Sequence, residues 1–549
     1  MMKKIIKSLL ASSILLSFST LGETSLITNI KGYSINDGKL TQFKAMTFKG
    51  DRVDRLFFQG ESLPDDADLK HIDGQGQTML PGLIDAHGHV LGYGLSLMRV
   101  QLRGAESEQD AVERVRLFRA ENPELSWIQG RGWNQVLWPE KSFPTALSLD
   151  KLFPDTPVWL RRIDGHAGWA NSAAMKLANI GVETQSPKGG EIVRDANGLP
   201  TGVFIDNAMD LITENIPSLT RSEQESVLLT SMNALAKLGL TSVHDAGVGS
   251  MTLEVYKSLA KSELMPIRVY TMVSAADEQF KTLMEKGPYL DSSDKLAIRS
   301  VKISSDGALG SRGAALIEDY SDLPGHRGLL LYSDKKLMET MKMAMEAGFQ
   351  VNTHAIGDNA NKLVLDNYEA LIKQTGTREL RHRVEHAQVL RLEDIPRFAK
   401  LNVIASMQAT HATSDKNMAE DRLGNKRIKG AYAWRKLLES DAIIAAGSDF
   451  PIESANPFFG LHASITRQDH KNLPEGGWYS QERMTLIEAL KSFTRDAAFA
   501  AHQENLIGQL KPGMKADFIL IDSDIFNVEP ERLWQTKVNQ TWVDGMRVF

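Results

Sequence analysis

His87 and His89 stand two residues apart in the segment LPGLIDAHGHV. Along an extended backbone, residues i and i+2 face the same way, so these two imidazoles can chelate one ion. Polar groups, most of them metal-competent, recur downstream: His244-Asp245, Lys302 in VKISSDG, His354 in VNTHAIGD, Glu385-His386 in RHRVEHAQ, Gln408 after Met407, and Asp449 in AAGSDFP. Each ends or closely follows a short apolar run that reads as a strand. A single buried histidine is ordinarily satisfied by backbone, and one His-x-His pair decides little. A whole set at strand ends is different, because a packed structural core has no use for it.

The cysteine count limits what such a site can be. None of the 549 residues is cysteine, which excludes disulfides, a cysteine nucleophile, iron–sulfur clusters and thiolate zinc sites. Any metal must be held by nitrogen and oxygen. Hydrophobic residues make up 42% and charged residues 24%, an ordinary globular composition. Lys+Arg 63 against Asp+Glu 69 gives a formal charge of -6, so no basic footprint argues for nucleic acid. The length suits a barrel-sized core plus a second unit.

Residues 1–22 read as a secretory signal peptide. Lys3, Lys4 and Lys7 supply the positive start, Ser8 to Ser19 a short apolar run, and Thr20-Leu21-Gly22 small residues near a cleavage point. The run is shorter than the roughly 20 residues a membrane span needs. The expectation is an exported protein, periplasmic or secreted, with no membrane partner after cleavage.

The elements that must position the polar set follow from pattern. Both ends are β-rich: Leu26–Ile30, Met46–Lys49 and Leu56–Phe58 at one, Phe518–Ile521 and Thr541–Val543 at the other, with Asp544-Gly545 as a hairpin signal. The middle alternates helices and apolar strands. Ser222 and Glu225 predict a capping box for a helix carrying Leu228, Met232 and Leu235. A second helix carries Leu337, Met341 and Met345 and stops at Gly348; core packing accounts for its methionines better than a soft-metal stripe does. Eight strands joined mostly by helices predict an α/β fold, a (β/α)8 TIM barrel with a composite β-sandwich domain from both termini. The divisions are 23–79 and 501–549 for the sandwich and 80–500 for the barrel. An insertion after the first barrel strand, about 101–221, carries Trp127, Trp133, Trp138 and Trp169 and suits a cover over an active site.

These motifs, in this order, resemble the amidohydrolase superfamily of metal-dependent hydrolases. GRGWNQVLWPE, LRRIDGHAGWANS and DGALGSRGAAL resemble the branch containing N-substituted formamide deformylases and YtcJ-like proteins. The likeness runs from about Leu26 to the C-terminus. It implies that His87, His89 and Asp449 bind the more buried ion, that His354 and His386 bind a second, and that Lys302 is carboxylated by carbon dioxide and bridges the two. An unmodified Lys302 paired to Asp306 is the alternative, with one ion per chain.

A nitrogen-and-oxygen donor set fits Zn²⁺ best, with Mn²⁺, Co²⁺ and Fe²⁺ also compatible. Asp449 then serves as the catalytic proton acceptor. His166 matches a branch motif and is a candidate substrate ligand. His244, Arg131, Trp133, Arg312 and Gln408 are further candidates, each with a structural or solvated reading beside it. The implied partner is a small molecule, and a homodimer is left open. The implied reaction is hydrolysis of a carbon–nitrogen bond of amide or N-formyl type. Its rivals are a deaminase, an ester or phosphoester hydrolase on the same scaffold, and a non-catalytic binding or regulatory protein that keeps the fold.

Overall fold

The computed structural model describes residues 23–549 apart from 37, 124, 163–166 and 188–189. The expected export segment lies outside the described residues. Residues 23–89 together with Met232–Phe549 form one compact unit, and the described residues of Val90–Ser231 form a second.

In the first unit eight strands lie parallel, in the order in which they occur in the chain. They are Leu83–Gly88, Leu240–Val248, Arg268–Ser274, Leu296–Ser304, Gln350–Ala355, Arg383–His386, Ile404–Gln408 and Ile444–Gly447. Nearly every position along them is buried, as expected of parallel strands covered on both faces. A parallel bridge from Gly88 to Phe450 joins the last strand's exit to the first, closing the (β/α)8 barrel. Gly447 permits this seam: a Cβ there would lie 2.5 Å from the His87 nitrogen and 2.7 Å from Asp85 Oδ1. The buried Asp85 carboxylate stitches the same seam, accepting from the His87 N–H at 3.0 Å and the Ser448 hydroxyl at 2.6 Å.

The helices outside the strands follow their sequence patterns with one shift. Asp334–Glu346 buries Leu337, Met341 and Met345, and leaves Met343 exposed. Arg221–Lys237 buries Leu228, Met232 and Leu235. Its capping box, however, is Thr220 with Glu223, not Ser222 with Glu225. The Glu223 carboxylate accepts from the Thr220 N–H at 2.8 Å while the Thr220 hydroxyl accepts from the Glu223 N–H at 3.3 Å. Both quartets match the same S/T-x-x-E pattern, and the chain uses the earlier one.

The two chain ends assemble into one eight-stranded sheet. Lys70–Pro81 lies at its centre, parallel to Thr24–Asn36 and antiparallel to Phe518–Ile521. Asp544 and Gly545, both at positive φ, turn the chain between Val538–Val543 and Met546–Arg547. Arg268, at the start of the third barrel strand, donates to both oxygens of Asp517 at 2.8 and 3.1 Å and also reaches Asp544, tying this sheet to the barrel.

The second unit has its own sheet of six strands, in the order Gly190–Arg194, Pro200–Asp206, Ala167–Ala170, Val158–Arg162, Ile128–Trp133 and Val100–Gln101. The tryptophans expected to form a cover are its core. Trp133, Trp138 and Trp169 share one buried cluster, with Trp133 Nε1 donating to the Leu160 carbonyl at 2.7 Å and Trp138 Nε1 to that of Ala105 at 2.9 Å. Trp127 packs into a neighbouring cluster with Trp159. An independently folded sheet needs bulky apolar side chains for itself, and these residues supply them. Among the described residues, no helix is long and apolar enough to cross a membrane.

Candidate metal centre

The barrel brings its polar residues together at the carboxyl ends of the strands, where side chains of different strands converge. The Asp449 carboxylate stands at the centre. Its Oδ1 is 3.0 Å from His89 Nε2 and 3.7 Å from His87 Nε2. The Asp449 backbone has φ +61, which turns the chain sharply out of the last strand. The Lys302 amine, from the fourth strand, is 3.1 Å from His87 Nε2.

Three of the histidines are oriented the same way. His87 Nδ1 hydrogen-bonds Glu385 Oε2, His89 Nδ1 the Ala246 carbonyl at 2.9 Å, and His386 Nδ1 the Gln408 Oε1 at 2.8 Å. All three partners are acceptors, so each ring donates from Nδ1, which in His87 and His386 leaves the Nε2 lone pair for another group. Outer-shell acceptors of this kind fix metal-binding imidazoles. Gln408, a candidate substrate residue by sequence, instead holds His386.

Burial and the neighbouring Lys302 push the His87 imidazole down to about 4. His386 also lies well below its ordinary value, from burial and the adjacent His354 and His87 rings. Both are therefore neutral and able to ligate. Burial alone would raise the Asp449 carboxyl, but the His89 hydrogen bond and the rings of His87, His386 and His411 hold it well below the usual carboxylate range. Burial lowers the Lys302 amine, against the opposing pull of Glu385 and Asp449.

Beneath the site lies a buried ion pair. The fully buried Arg383 guanidinium contacts Glu385 Oε1 at 2.8 Å, the Ser406 hydroxyl at 2.8 Å and His244 Nδ1 at 2.9 Å. Burial opposes ionisation of Glu385, yet Arg383 and His87 hold its carboxyl far below the normal range. His244 thus packs under the centre against Arg383 and the Tyr270 ring. Asp306 is not paired with Lys302. Its carboxylate accepts from the backbone N–H groups of Ala315, Ile356 and Gly357 at 2.8, 3.0 and 2.8 Å.

His354 has its ring 4.6 Å from that of His386, edge-on, and its buried Nε2 has no hydrogen-bond partner although Asp306 Oδ1 is 3.4 Å away. His411 was not singled out from sequence. It sits in the short helix Ala409–Asp415 directly after the seventh strand, with Nε2 buried, unpartnered and 3.6 Å from Asp449 Oδ2. The signal was the segment Gln408-Ala409-Thr410-His411, which places a histidine three residues past a strand end. Among the described residues, two groups have donor atoms all within 4.8 Å of one another: His87, His89 and Asp449, and His386, His411 and Asp449. Convergent imidazoles, a carboxylate and orphaned buried ring nitrogens fit a divalent ion.

Arg312 is partly exposed and forms a bidentate pair with Asp322 at 3.2 and 2.8 Å. Trp133 is core of the second unit, and Arg131 is exposed on the same strand. His166 lies outside the described residues.

Residues 70–549 match the model of the amidohydrolase family. The chain is 34% identical over 488 residues to the Arabidopsis thaliana Protein LONG AFTER FAR-RED 3, covering 86% of this chain and 83% of that one. It is 32% identical to the putative amidohydrolase YtcJ of Bacillus subtilis, covering 88% and 91% of the two chains. It is 26% identical to the N-substituted formamide deformylase of Arthrobacter pascens, covering 87% and 90%. The crystal structure of an uncharacterized metal-dependent hydrolase from Pyrococcus furiosus superimposes with a TM-score of 0.76 at 27% identity, over 91% of this chain and 99% of that one. With a barrel closed at Gly88 and Phe450, histidines gathered around Asp449 and a family match over most of its length, the chain belongs to the amidohydrolase family.

Proposed function

We propose that the chain hydrolyses a carbon–nitrogen bond of a small amide or N-formyl compound, at a centre holding one or two divalent ions. The observation that carries this reading is the approach of His87 Nε2 and His89 Nε2 to one oxygen of Asp449. The likeness to a protein named as an N-substituted formamide deformylase supports the bond type. His87, His89 and Asp449 would hold one ion, and His386 with His354 beside it the second. When bound, such an ion supplies Lewis acidity toward water and a substrate carbonyl, and Zn²⁺ suits this donor set.

The chain's own groups do the rest. Asp449, kept ionised by its histidines, takes up a proton at its carboxylate and returns it to the departing nitrogen. The burial that depresses Lys302 favours the neutral amine, the form that combines with carbon dioxide to give an anionic carbamate. A lysine beside His87 favours amide hydrolysis over single-ion deamination. The basic start and apolar run of residues 1–22 support export to the periplasm or the medium.

The test is a panel of N-formyl amides, simple amides, esters and amino-heterocycles, assayed after chelator dialysis and again after adding Zn²⁺, Mn²⁺ or Co²⁺. Metal-dependent release of formate or carboxylate together with an amine is expected. Full hydrolysis by metal-free Asp449→Ala protein would sink the reading, and release of ammonia from heterocycles alone would replace it with deamination.

A further inference from the structure

We propose that His411 is a metal-ligating residue, which completes with His386 the second ion position beside Asp449. The inference rests on the hydrolase reading above and adds a ligand that the strand-end pattern does not contain.

The two oxygens of Asp449 face different histidines. His89 Nε2 and His87 Nε2 address Oδ1 at 3.0 and 3.7 Å, whereas His411 Nε2 addresses Oδ2 at 3.6 Å. On the second side His386 gives its Nδ1 to Gln408, so its Nε2 is the atom available. The His386 and His411 rings stack at 22° with centroids 5.8 Å apart, presenting two imidazoles side by side to one carboxylate. Donor atoms of His386, His411 and Asp449 lie within 4.8 Å of one another, the same criterion that His87, His89 and Asp449 meet.

His411 Nε2 is buried without a hydrogen-bond partner. A buried nitrogen left unsatisfied destabilises the fold, so its retention at this spot calls for a partner. A gap of 3.6 Å to Asp449 Oδ2 is too long for a hydrogen bond. An ion held with the neighbouring His386, whose ring stacks on that of His411, supplies the partner that Asp449 does not. Hence His411 belongs to the second position with His386.

The experiment titrates metal-free, full-length protein with Co²⁺ and follows bound metal by elemental analysis and ligand geometry by visible absorption. Wild type, His411→Asn and His411→Glu are compared, and thermal melts of the metal-free forms check folding. Wild type should bind two ions. His411→Asn should lose one of them, or bind it at least about tenfold more weakly, with a changed Co²⁺ spectrum. His411→Glu, which restores an oxygen donor, should recover much of the affinity. Unchanged stoichiometry, affinity and spectrum in His411→Asn overturns the inference and leaves the hydrolase reading intact. A wild type that binds no ion overturns both. If His411→Asn does not fold, Co²⁺-edge anomalous diffraction from wild-type crystals decides instead: an ion bonded to His411 Nε2 supports the inference, and ions bonded only elsewhere overturn it.

Discussion

The backbone N–H of Asp449 donates to the carbonyl of His87 at 2.7 Å. A candidate ligand after the last barrel strand is thereby fastened directly to one on the first, so closing the barrel and assembling the centre are one event. Gly447 makes the approach possible. Gly447→Ala should push its Cβ against the His87 backbone and the Asp85 carboxylate, costing about 1–3 kcal/mol as an overpacked site does. Thermal melts and metal content should fall together; a drop in melting temperature with undiminished metal affinity would separate the seam from the site.

Glu385 connects the buried Arg383 to the imidazole of His87. Glu385→Gln keeps the shape but removes the charge that favours donation from His87 Nδ1. Metal affinity should drop by about 10–100-fold, the usual effect of losing an outer partner of a ligating histidine. Competition with a chromophoric chelator measures it, and affinity equal to the parent's would show that Glu385 serves only Arg383.

The barrel and much of the centre are legible in the sequence for one reason. Strand-forming runs are short and apolar, and His87, Lys302, His354, His386 and Asp449 interrupt or end them, where polarity is conspicuous. His411 escapes because it begins a helix rather than ending a strand, and polar residues in a first helical turn are commonplace. Gln408 is visible as polar, but nothing local says that it faces His386 rather than substrate. Trp133 and its neighbours are ambiguous for a related reason: aromatic density reads the same in a covering layer and in a second core, and here it builds the core of Val90–Ser231.

Arg268 is almost wholly buried and balances Asp517 and Asp544, with Lys295 2.9 Å from the latter. Arg268→Met should strand the Asp517 carboxylate and cost about 3–5 kcal/mol. Adding Asp517→Leu should recover part of that loss, because the orphaned charge is then gone. Calorimetry of the single and double variants gives the sign of the coupling, and a double variant less stable than the single one would contradict it.

His382 offers a pH test away from the centre's ligands. Its ring is buried, stacked on Tyr368 at 9°, and its Nδ1 accepts from the Val351 N–H at 3.0 Å. Burial, assisted by His502, lowers its pKa to about 3. The unfolded chain regains an ordinary histidine near 6.5. Between those values the unfolded state binds a proton that the folded state refuses, so stability is complete above pH 6.5 and falls as the pH drops toward 3. One such group contributes a slope of about 1.4 kcal/mol per pH unit. His382→Asn keeps an acceptor for Val351 but cannot titrate. Its melting temperature should start lower at pH 7.5 and then decline less steeply to pH 5 than the parent's, both measured in metal-free protein so that ion release does not intervene. Parallel slopes would show that His382 is not the group taking up the proton.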